Sequence, residues 1–256
     1  MSTTEAKRQR VVSREEWLLA RVRLLAKEKE LTRQRDALAA ERRELPWVRV
    51  EKPYVFRGPD GEETLADLFG GRSQLIVYHF MFGPDWEEGC PSCSLLADQI
   101  DGVVDHLAQR GATLLAVSRA PLPKIEAFKA RMDWHFKWVS SYGSDFNFDY
   151  GVSFTPAEVA SGAIHYNYGG ANFANDEMPG VSVFAKDEAG EVFHTYSCFA
   201  RGAEPMLGVY QYLDLTPKGR DEAGLVFPMA WVRHHDRYED APAKKAAGSC
   251  CDGDHR

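Results

Sequence analysis

The first hydrophobic pattern along the chain is a seven-residue repeat within a highly charged segment. Residues 14–45 contain no Gly or Pro and are rich in Glu, Lys, Arg, Ala and Leu, which predicts one long helix beginning after Ser13. The apolar residues of the repeat are Trp17, Leu24, Leu31, Leu38 and Leu45. Because a coiled coil needs a second apolar position in each repeat, the helix is either an arm lying on the body of the protein or a clasp that joins a homodimer.

From residue 47 onward, short apolar runs alternate with segments of helical periodicity. The runs at 74–81, 112–118 and 136–140 predict strands buried on both faces. Apolar residues spaced at 3.6-residue intervals predict helices between them, at 91 to about 110 and at 123–132. The strand–helix–strand–helix–strand order indicates an α/β protein with a parallel core.

Smaller elements flank this core. A Gly-Pro-Asp-Gly turn precedes a short helix at 63–69, a hairpin is predicted at 181–198, and a last helix at 204–213. Residues 141–175 are aromatic and irregular, and a segment of this length without regular structure usually serves a function. We therefore expect a helical arm at 1–46, a main domain at 47–215, a C-terminal extension at 216–240 and a disordered, Cys-containing tail at 241–256.

Composition and charge narrow the class of protein. The 256 residues are 44% hydrophobic, which allows a packed core, and they carry a net charge of −7 without a basic cluster in the body of the chain. This charge argues against nucleic acid as a partner. No apolar run approaches the roughly 18 residues that span a membrane, and no secretory signal is visible, so we expect a cytoplasmic protein without a membrane partner.

The strongest chemical signal is the Cys90-Pro-Ser-Cys93 motif, at the predicted junction of a loop and a helix. A Cys that caps a helix faces unpaired N–H groups, which lower its pKa and make Cys90 the nucleophile. Cys93, one turn further, would resolve the mixed disulfide. Such a pair needs no organic cofactor. Since CxxC is also half of a zinc site, copper or zinc handling is an alternative.

Other groups bear on that choice. Asp85, Glu87 and Glu88 precede the motif and would raise the pKa of Cys90 if they approached it, but we interpret them as solvated loop acids. His79 is interpreted as a core histidine, with Cu(I) coordination beside Cys90 and Cys93 as the alternative. Two further candidate metal or redox ligands lie in the tail: Cys250 and Cys251.

The aromatic segment that follows the third strand is expected to wall the cleft over Cys90. Its rings would suit a small aromatic or thiol ligand better than a broad protein surface, although simple packing would also explain them. The candidate substrate-binding residues are Trp86, Tyr142, Tyr166, Tyr168 and Met178.

These motifs carry a family resemblance. Residues 47–213 resemble a thioredoxin-like domain of the peroxiredoxin and thiol-reductase type. Four features carry this resemblance: the turn at 58–61, the helix at 65–68, the strand before CxxC, and Met178-Pro-Gly before a strand. Segments 78–93 and 231–238 are more similar to a bacterial family of unknown function, usually described as predicted dithiol–disulfide oxidoreductases. The resemblance implies a thioredoxin-like (peroxiredoxin-type) fold, Cys90 and Cys93 as the redox pair, and a cis Pro179 beside the substrate.

The sequence also departs from peroxiredoxins. Glu87 stands three residues before Cys90, where those enzymes have a Thr or Ser that activates peroxide. A thiol peroxidase is therefore a weaker alternative, and a binding module that has lost turnover is another. We expect a dithiol–disulfide oxidoreductase that acts on a small thiol or disulfide, or on the disulfide of a protein.

Overall fold

The computed structural model of the protein describes residues 9–171 and 175–239. The chain forms two compact units, Met1–Pro46 and Trp47–Arg256. In the first unit, helix α1 spans Arg14–Arg43. The hydroxyl of its N-cap Ser13 accepts from the backbone N–H of Glu16, and the carboxylate of Glu16 accepts from the backbone N–H of Ser13. The predicted helix is confirmed. Whether it serves as an arm or as a dimer clasp stays a prediction.

The second unit is built around one large sheet and a separate small hairpin. Its strands are β1 Val48–Arg49, β2 Val55–Gly58, β3 Gly61–Thr64, β4 Gln74–His79, β5 Ala112–Ser118, β6 Trp138–Ser140, β7 Ile164–Tyr166, β8 Gly169–Ala171, β9 Gly180–Lys186 and β10 Val192–Phe199. The large sheet has the spatial order β1-β10-β9-β4-β5-β6-β2-β3, and β7 pairs with β8 alone.

The centre of the sheet carries the thioredoxin-like arrangement. Strand β4 pairs in parallel with β5, and β5 with β6, while β9 pairs antiparallel with β4 and returns as β10. Parallel neighbours need crossover connections, and helices supply both of them here. The predicted parallel core and the predicted hairpin are therefore confirmed, and the chain has an α/β, thioredoxin-like fold.

Six short helices accompany the sheet. They are α2 Pro91–Ala97, α3 Val104–Ala108, α4 Leu122–Arg131, α5 Phe146–Asp149, α6 Pro156–Ser161 and α7 Gly208–Leu213. Short 3₁₀ helices lie at Asp67–Phe69, Ala200–Met206 and His235–Arg237. In the part of the chain that the structure describes, no helix combines the length and the apolarity needed to cross a membrane.

The helix expected from 91 to about 110 is interrupted after α2. The carboxylate of Asp98 accepts from the indole N–H of Trp134 at 2.8 Å, and that of Asp101 accepts from the backbone N–H groups of His135 and Phe136 at 2.8 and 2.6 Å. These bonds tie the turns between α2 and α3 to the segment before β6. Local periodicity does not reveal such long-range partners.

Three other expectations are corrected. The helix expected at 63–69 is strand β3 followed by a 3₁₀ turn, and the helix expected at 204–213 is 3₁₀ up to Met206, where Pro205 has no N–H for a regular helix. The segment 141–175, expected to be irregular, contains α5, α6, β7 and β8. Thr155 starts α6 with a capping box, and Gly162 ends it in the left-handed conformation.

Alternation along β4 decides which side chains meet the CxxC motif. Tyr78 and Phe80 lie in the core on the face covered by α2, together with Cys93 and Trp138. Leu75 and Val77 lie in the core on the opposite face, and His79 points the same way. The sheet therefore separates the CxxC motif from the side chain of His79.

Candidate active site

The segment after β4 brings Cys90 to the first turn of α2. Cys90 is the N-cap residue, its N–H donates to the carbonyl of Met81 at 3.0 Å, and Pro91 occupies the first helical position. The hydroxyl of Ser94 donates to the carbonyl of Cys90 at 3.0 Å. Both motif cysteines carry free thiols, with Cys90 half-buried and Cys93 2% exposed.

The two thiols differ strongly in acidity. A hydrogen bond from the Cys93 thiol lowers the pKa of Cys90 to about 7, assisted by the N–H groups of Cys93 and Ser92 and opposed by burial. Burial raises the pKa of Cys93, and the neighbouring Cys90 sulfur raises it further. Near neutral pH, Cys90 is therefore substantially thiolate while Cys93 keeps its proton. This asymmetry supports Cys90 as nucleophile and Cys93 as resolving residue.

The acids that precede the motif do not counteract this activation. Glu88 accepts from Arg131 at 2.8 Å and from Arg237 at 2.7 Å, and these bonds lower its pKa although partial burial acts to raise it. The side chain of Glu87 is 93% exposed. Glu88 is thus engaged by cations, and the prediction of solvated acids holds for the exposed Asp85 and Glu87.

A C-terminal segment, residues 234–237, holds the loop before Cys90, and we call it the clamp. The buried ring of His234 donates from Nε2 to the carbonyl of Gly89 at 2.8 Å and accepts at Nδ1 from Arg131 at 2.7 Å. Asp236 accepts from the Nε of Arg131 at 3.0 Å, and Arg237 contacts Glu88. The C-terminal end of the described chain therefore fixes Gly89, the residue before Cys90.

A cavity of about 350 Å³ opens beside the two cysteines. The β4–α2 region contributes one side of it, through Tyr78, Met81, Cys90, Ser92, Cys93 and Leu96. The chain around α7 and the C-terminal extension contribute another, through Ala200, Arg201, Ala203, Glu204, Leu207, Tyr210, Arg220, Glu222, Pro228 and Met229, and Pro179 completes the lining. The sequence does not predict that the extension lines this cavity, although the motif at 231–238 indicates that the segment matters.

Polar contacts hold the extension in place. One carboxylate oxygen of Glu222 accepts from the hydroxyl of Tyr210 at 2.6 Å, the N–H of Met229 at 2.9 Å and the indole N–H of Trp231 at 2.7 Å. Arg220 donates to Glu204 at 2.7 Å. Because a single carboxylate gathers three donors from two segments, it fixes the wall of the cavity against α7.

Pro179 lies where the resemblance implies, but its peptide bond differs. Pro179 lines the cavity with the cysteines, and the bond from Met178 to Pro179 is trans, as are all peptide bonds of the described residues. The expected cis proline is therefore wrong. The N–H of Met178 donates to Val152 at 2.8 Å, and the hydroxyl of Tyr166 donates to the carbonyl of Pro179 at 2.7 Å, so the trans segment has internal partners on both sides.

The five candidate substrate-binding residues lie outside the lining of this cavity. Tyr166 is buried behind Pro179, and its hydroxyl also accepts from the N–H of Ala200 at 2.9 Å, so it supports the wall. Tyr142 is exposed, and Tyr168 lines a separate cavity of about 230 Å³ beside His194. The remaining two are half-buried in neighbouring segments: Trp86 and Met178. The expected aromatic wall over Cys90 is therefore replaced by the C-terminal extension.

His79 is a core histidine on the far face of the sheet. Its Nε2 lies 2.9 Å from the hydroxyl of Ser182, its ring stacks on Phe146 at 5.5 Å, and burial lowers its pKa to about 3. The proposed set of His79 with Cys90 and Cys93 is thus not assembled. Among residues 9–171 and 175–239, no group of three or more His, Cys, Asp or Glu is placed to hold a metal ion. Cys250 and Cys251 lie outside the described residues.

Several solved structures are similar to this chain in fold at low sequence identity. Peroxidoxin BcpB from Mycobacterium tuberculosis is 13% identical, with a TM-score of 0.44, covering 66% of this chain and 97% of its own. A peroxiredoxin Q from Xylella fastidiosa is 13% identical, with a TM-score of 0.39, covering 66% and 94%. A putative thiol:disulfide interchange protein DsbE from Chlorobium tepidum is 15% identical, with a TM-score of 0.38, covering 65% and 94%. None of these matches assigns a role to a residue of this chain.

The sequence itself matches one protein family over most of its length. No curated protein matches the chain. The model of the family described as "Bacterial protein of unknown function (DUF899)" matches residues 6–238, a range that includes the CxxC motif, the cavity wall and the clamp. The chain therefore belongs to this family of bacterial proteins of unknown function.

Proposed function

We propose that the protein is a dithiol–disulfide oxidoreductase in which Cys90 is the nucleophile and Cys93 the resolving thiol. The observation that carries this proposal is the difference between the two thiols. The pKa of Cys90 is lowered to about 7 and that of Cys93 is raised, and both line one cavity. A thiol with a pKa near ambient pH combines a high thiolate fraction with good nucleophilicity.

The reaction proceeds in two exchanges. The Cys90 thiolate attacks one sulfur of the substrate disulfide, the S–S bond breaks, and the first thiolate leaves and takes a proton from solvent. Cys93 then loses its proton and attacks the Cys90 sulfur, which releases the second substrate thiol and forms the Cys90–Cys93 disulfide. Two electrons pass from the protein dithiol to the substrate, and two substrate thiols are produced.

The oxidised pair returns to the dithiol form by exchange with low-molecular-weight thiols. We place the reaction in the cytoplasm, where such thiols are abundant. The same chemistry in reverse oxidises a dithiol substrate. The sulfur pair carries the electrons itself, so the proposal requires no organic cofactor and no metal.

A redox titration tests the proposal. The variant Cys250→Ser/Cys251→Ser is equilibrated in thiol–disulfide buffers, and mass spectrometry of digested protein locates the disulfide. We expect a reversible two-electron midpoint between roughly −270 and −120 mV with the disulfide at Cys90–Cys93. The added change Cys93→Ser should abolish that transition. A pair that stays reduced throughout and retains stoichiometric copper or zinc would overturn the proposal in favour of metal handling.

A further inference from the structure

We infer that the substrate is a small, uncharged and largely apolar disulfide that enters the cavity beside Cys90, and not a disulfide within a folded protein. This inference rests on the proposed function. Three features of the site support it: the backbone next to Pro179 is already engaged, the C-terminal extension walls the cavity, and the Arg and Glu charges along the lining balance.

The backbone that faces the motif offers little to an extended peptide. A peptide strand binds by pairing with free N–H and C=O groups of an exposed edge. Here the N–H of Met178 donates to the carbonyl of Val152, and the carbonyl of Pro179 accepts from the hydroxyl of Tyr166. Pro179 has no N–H of its own. A bound peptide could pair with the N–H of Met178 only by breaking its bond to Val152, and it would share the carbonyl of Pro179 with Tyr166.

The C-terminal extension gives the site the dimensions of a small-molecule pocket. Pro228 and Met229 line the cavity together with Cys90, and Glu222 secures Met229 through its N–H. The volume of about 350 Å³ lies in the range typical of small-ligand sites, roughly 300–1,000 Å³. A disulfide held in a folded protein would have to bring its surrounding chain past this wall.

Apart from the Cys90 thiolate, the charged residues of the lining leave no net charge for an ionic substrate. Arg201 and Arg220 contribute two positive charges, and Glu204 and Glu222 contribute two negative charges. Glu204 accepts from both arginines, at 2.9 and 2.7 Å. A charged disulfide would lose hydration on entry and would meet no excess of opposite charge beyond the Cys90 thiolate. An apolar disulfide gains from contact with Met81, Leu96 and Leu207.

The test compares three disulfides with the reduced full-length protein: dipyridyl disulfide, which is neutral, cystamine, which is a dication, and insulin. Each second-order rate constant for the protein is divided by the constant for dithiothreitol with the same disulfide. This quotient removes the difference in intrinsic reactivity among the three disulfides. We expect the normalised constant for dipyridyl disulfide to exceed that for insulin by roughly tenfold or more, as burial of apolar groups would give.

A charge placed in the wall provides the matched variants. Met229→Glu should slow dipyridyl disulfide by roughly tenfold and accelerate cystamine, because it adds a negative charge to the apolar wall of the cavity. Val226→Glu adds the same charge at a residue of the extension that is 97% exposed and outside the lining, and it should change neither rate. The gain with cystamine distinguishes a changed pocket from a damaged fold.

The outcomes separate this inference from the function beneath it. An insulin constant equal to or above that of dipyridyl disulfide would overturn the inference and leave the oxidoreductase intact. Equal effects of Met229→Glu and Val226→Glu would also overturn it. Failure of all three disulfides to oxidise the Cys90–Cys93 pair would overturn the proposed function itself.

Discussion

Two thiols three positions apart differ in acidity because one lies beside N–H groups at the start of a helix and the other is buried in the core. Cys90 sits at the first turn of α2, where the N–H groups of Ser92 and Cys93 face its sulfur. Cys93 is buried against the sheet, where a negative charge is costly. The Cys93 thiol also donates to Cys90, so removal of either sulfur should change the acidity of the other.

The first prediction concerns the pH profile of Cys90. Alkylation by iodoacetamide, followed by mass spectrometry of the Cys90 peptide, should show a rate that rises with a midpoint at about pH 7. In Cys93→Ala the midpoint should move upward, because the thiolate loses its hydrogen bond from Cys93. The control Cys198→Ala removes a cysteine that does not line the cavity and should keep the wild-type midpoint. An unchanged midpoint in Cys93→Ala would contradict the assigned cause.

Tyr78 provides a second prediction at the residue scale. Its hydroxyl lies 3.4 Å from the carbonyl of Cys93, and its hydrogen bond to the Cys93 thiol lowers the pKa of that thiol against the effect of burial. Tyr78→Phe should slow the resolving step by roughly 2- to 10-fold, the usual worth of one hydrogen bond, so the mixed disulfide accumulates in quenched-flow mass spectrometry. The exposed Tyr212→Phe serves as control, and an equal effect there would refute the role of Tyr78.

At the scale of elements, the clamp connects the last described turn of the chain to the loop before the motif. The ring of His234 donates to the Gly89 carbonyl, and Arg131 links α4 to His234, Glu88 and Asp236. Because His234 is 1% exposed, its ring bonds are shielded from competing water.

Removal of that ring should be costly. His234→Ala leaves the carbonyl of Gly89 buried without its donor and opens a void beside Phe128, whose ring centroid is 5.2 Å away. We expect a loss of about 2–4 kcal/mol in the free energy of unfolding, measured by urea denaturation. His106→Ala, at an exposed position of α3, should cost less than about 0.5 kcal/mol. Comparable losses in the two variants would contradict the clamp.

Elements with a strong local pattern could be predicted from the sequence, and those with distant partners could not. Strand β5 and helix α4 were expected within a residue of their bounds, because continuous apolar runs and 3.6-residue periodicity are local signals. The break after α2 depends on Asp98 and Asp101, whose partners are more than 30 residues away.

The residues of the candidate site also fall into those that local sequence signals predict and those that depend on distant contacts. Spacing and position identified Cys90 and Cys93 as neighbours, and the resemblance placed Pro179 beside them. The wall made by Arg220, Glu222, Pro228 and Met229 was missed, since these residues meet the motif only through tertiary contacts. The trans bond before Pro179 was also missed, because the internal partners that accompany it come from distant segments.

At the scale of the whole molecule, the sheet separates a reactive face from a structural one. On the structural face, His79 contacts Ser182, which bonds to Ser197, which bonds to His194, at 2.9, 2.9 and 2.7 Å. This polar chain lies among apolar residues, and burial keeps His79 uncharged at neutral pH.

His79 should make the fold sensitive to acid. The pKa of His79 falls from 6.5 to about 3 on folding, so the unfolded chain takes up a proton between these values and the folded chain does not. The free energy of unfolding is therefore unaffected by His79 above pH 6.5. It declines as the pH drops from 6.5 towards 3, by up to about 1.4 kcal/mol per pH unit. Burial raises the pKa of Glu177 to about 7, so protonation of Glu177 increases stability as the pH falls. This contribution is the same in the wild-type protein and in a variant at residue 79. His79→Gln should therefore show a smaller loss between pH 6.5 and 4 in urea denaturation, and parallel curves would refute this account.

The division into two units gives a prediction for the whole chain. Because the sheet, cavity and clamp all belong to the second unit, a fragment of residues 47–256 should fold and keep the redox midpoint of the full protein. Circular dichroism and the redox titration check this, and a shifted midpoint would contradict it. Sedimentation of both proteins addresses the seven-residue repeat: a dimer that becomes a monomer identifies a clasp, and two monomers identify an arm.

The wall of the cavity also has a consequence for biosynthesis. Arg220 follows Cys90 by 130 residues, and the clamp follows later still. At ordinary translation rates, the nucleophile is made roughly 7–26 s before the wall. During that interval the thiol is part of an incomplete site, open to oxidants and to other nascent thiols. A message that ends prematurely after the sheet would therefore yield a chain that has Cys90 and Cys93 but lacks the wall to which we attribute substrate selection.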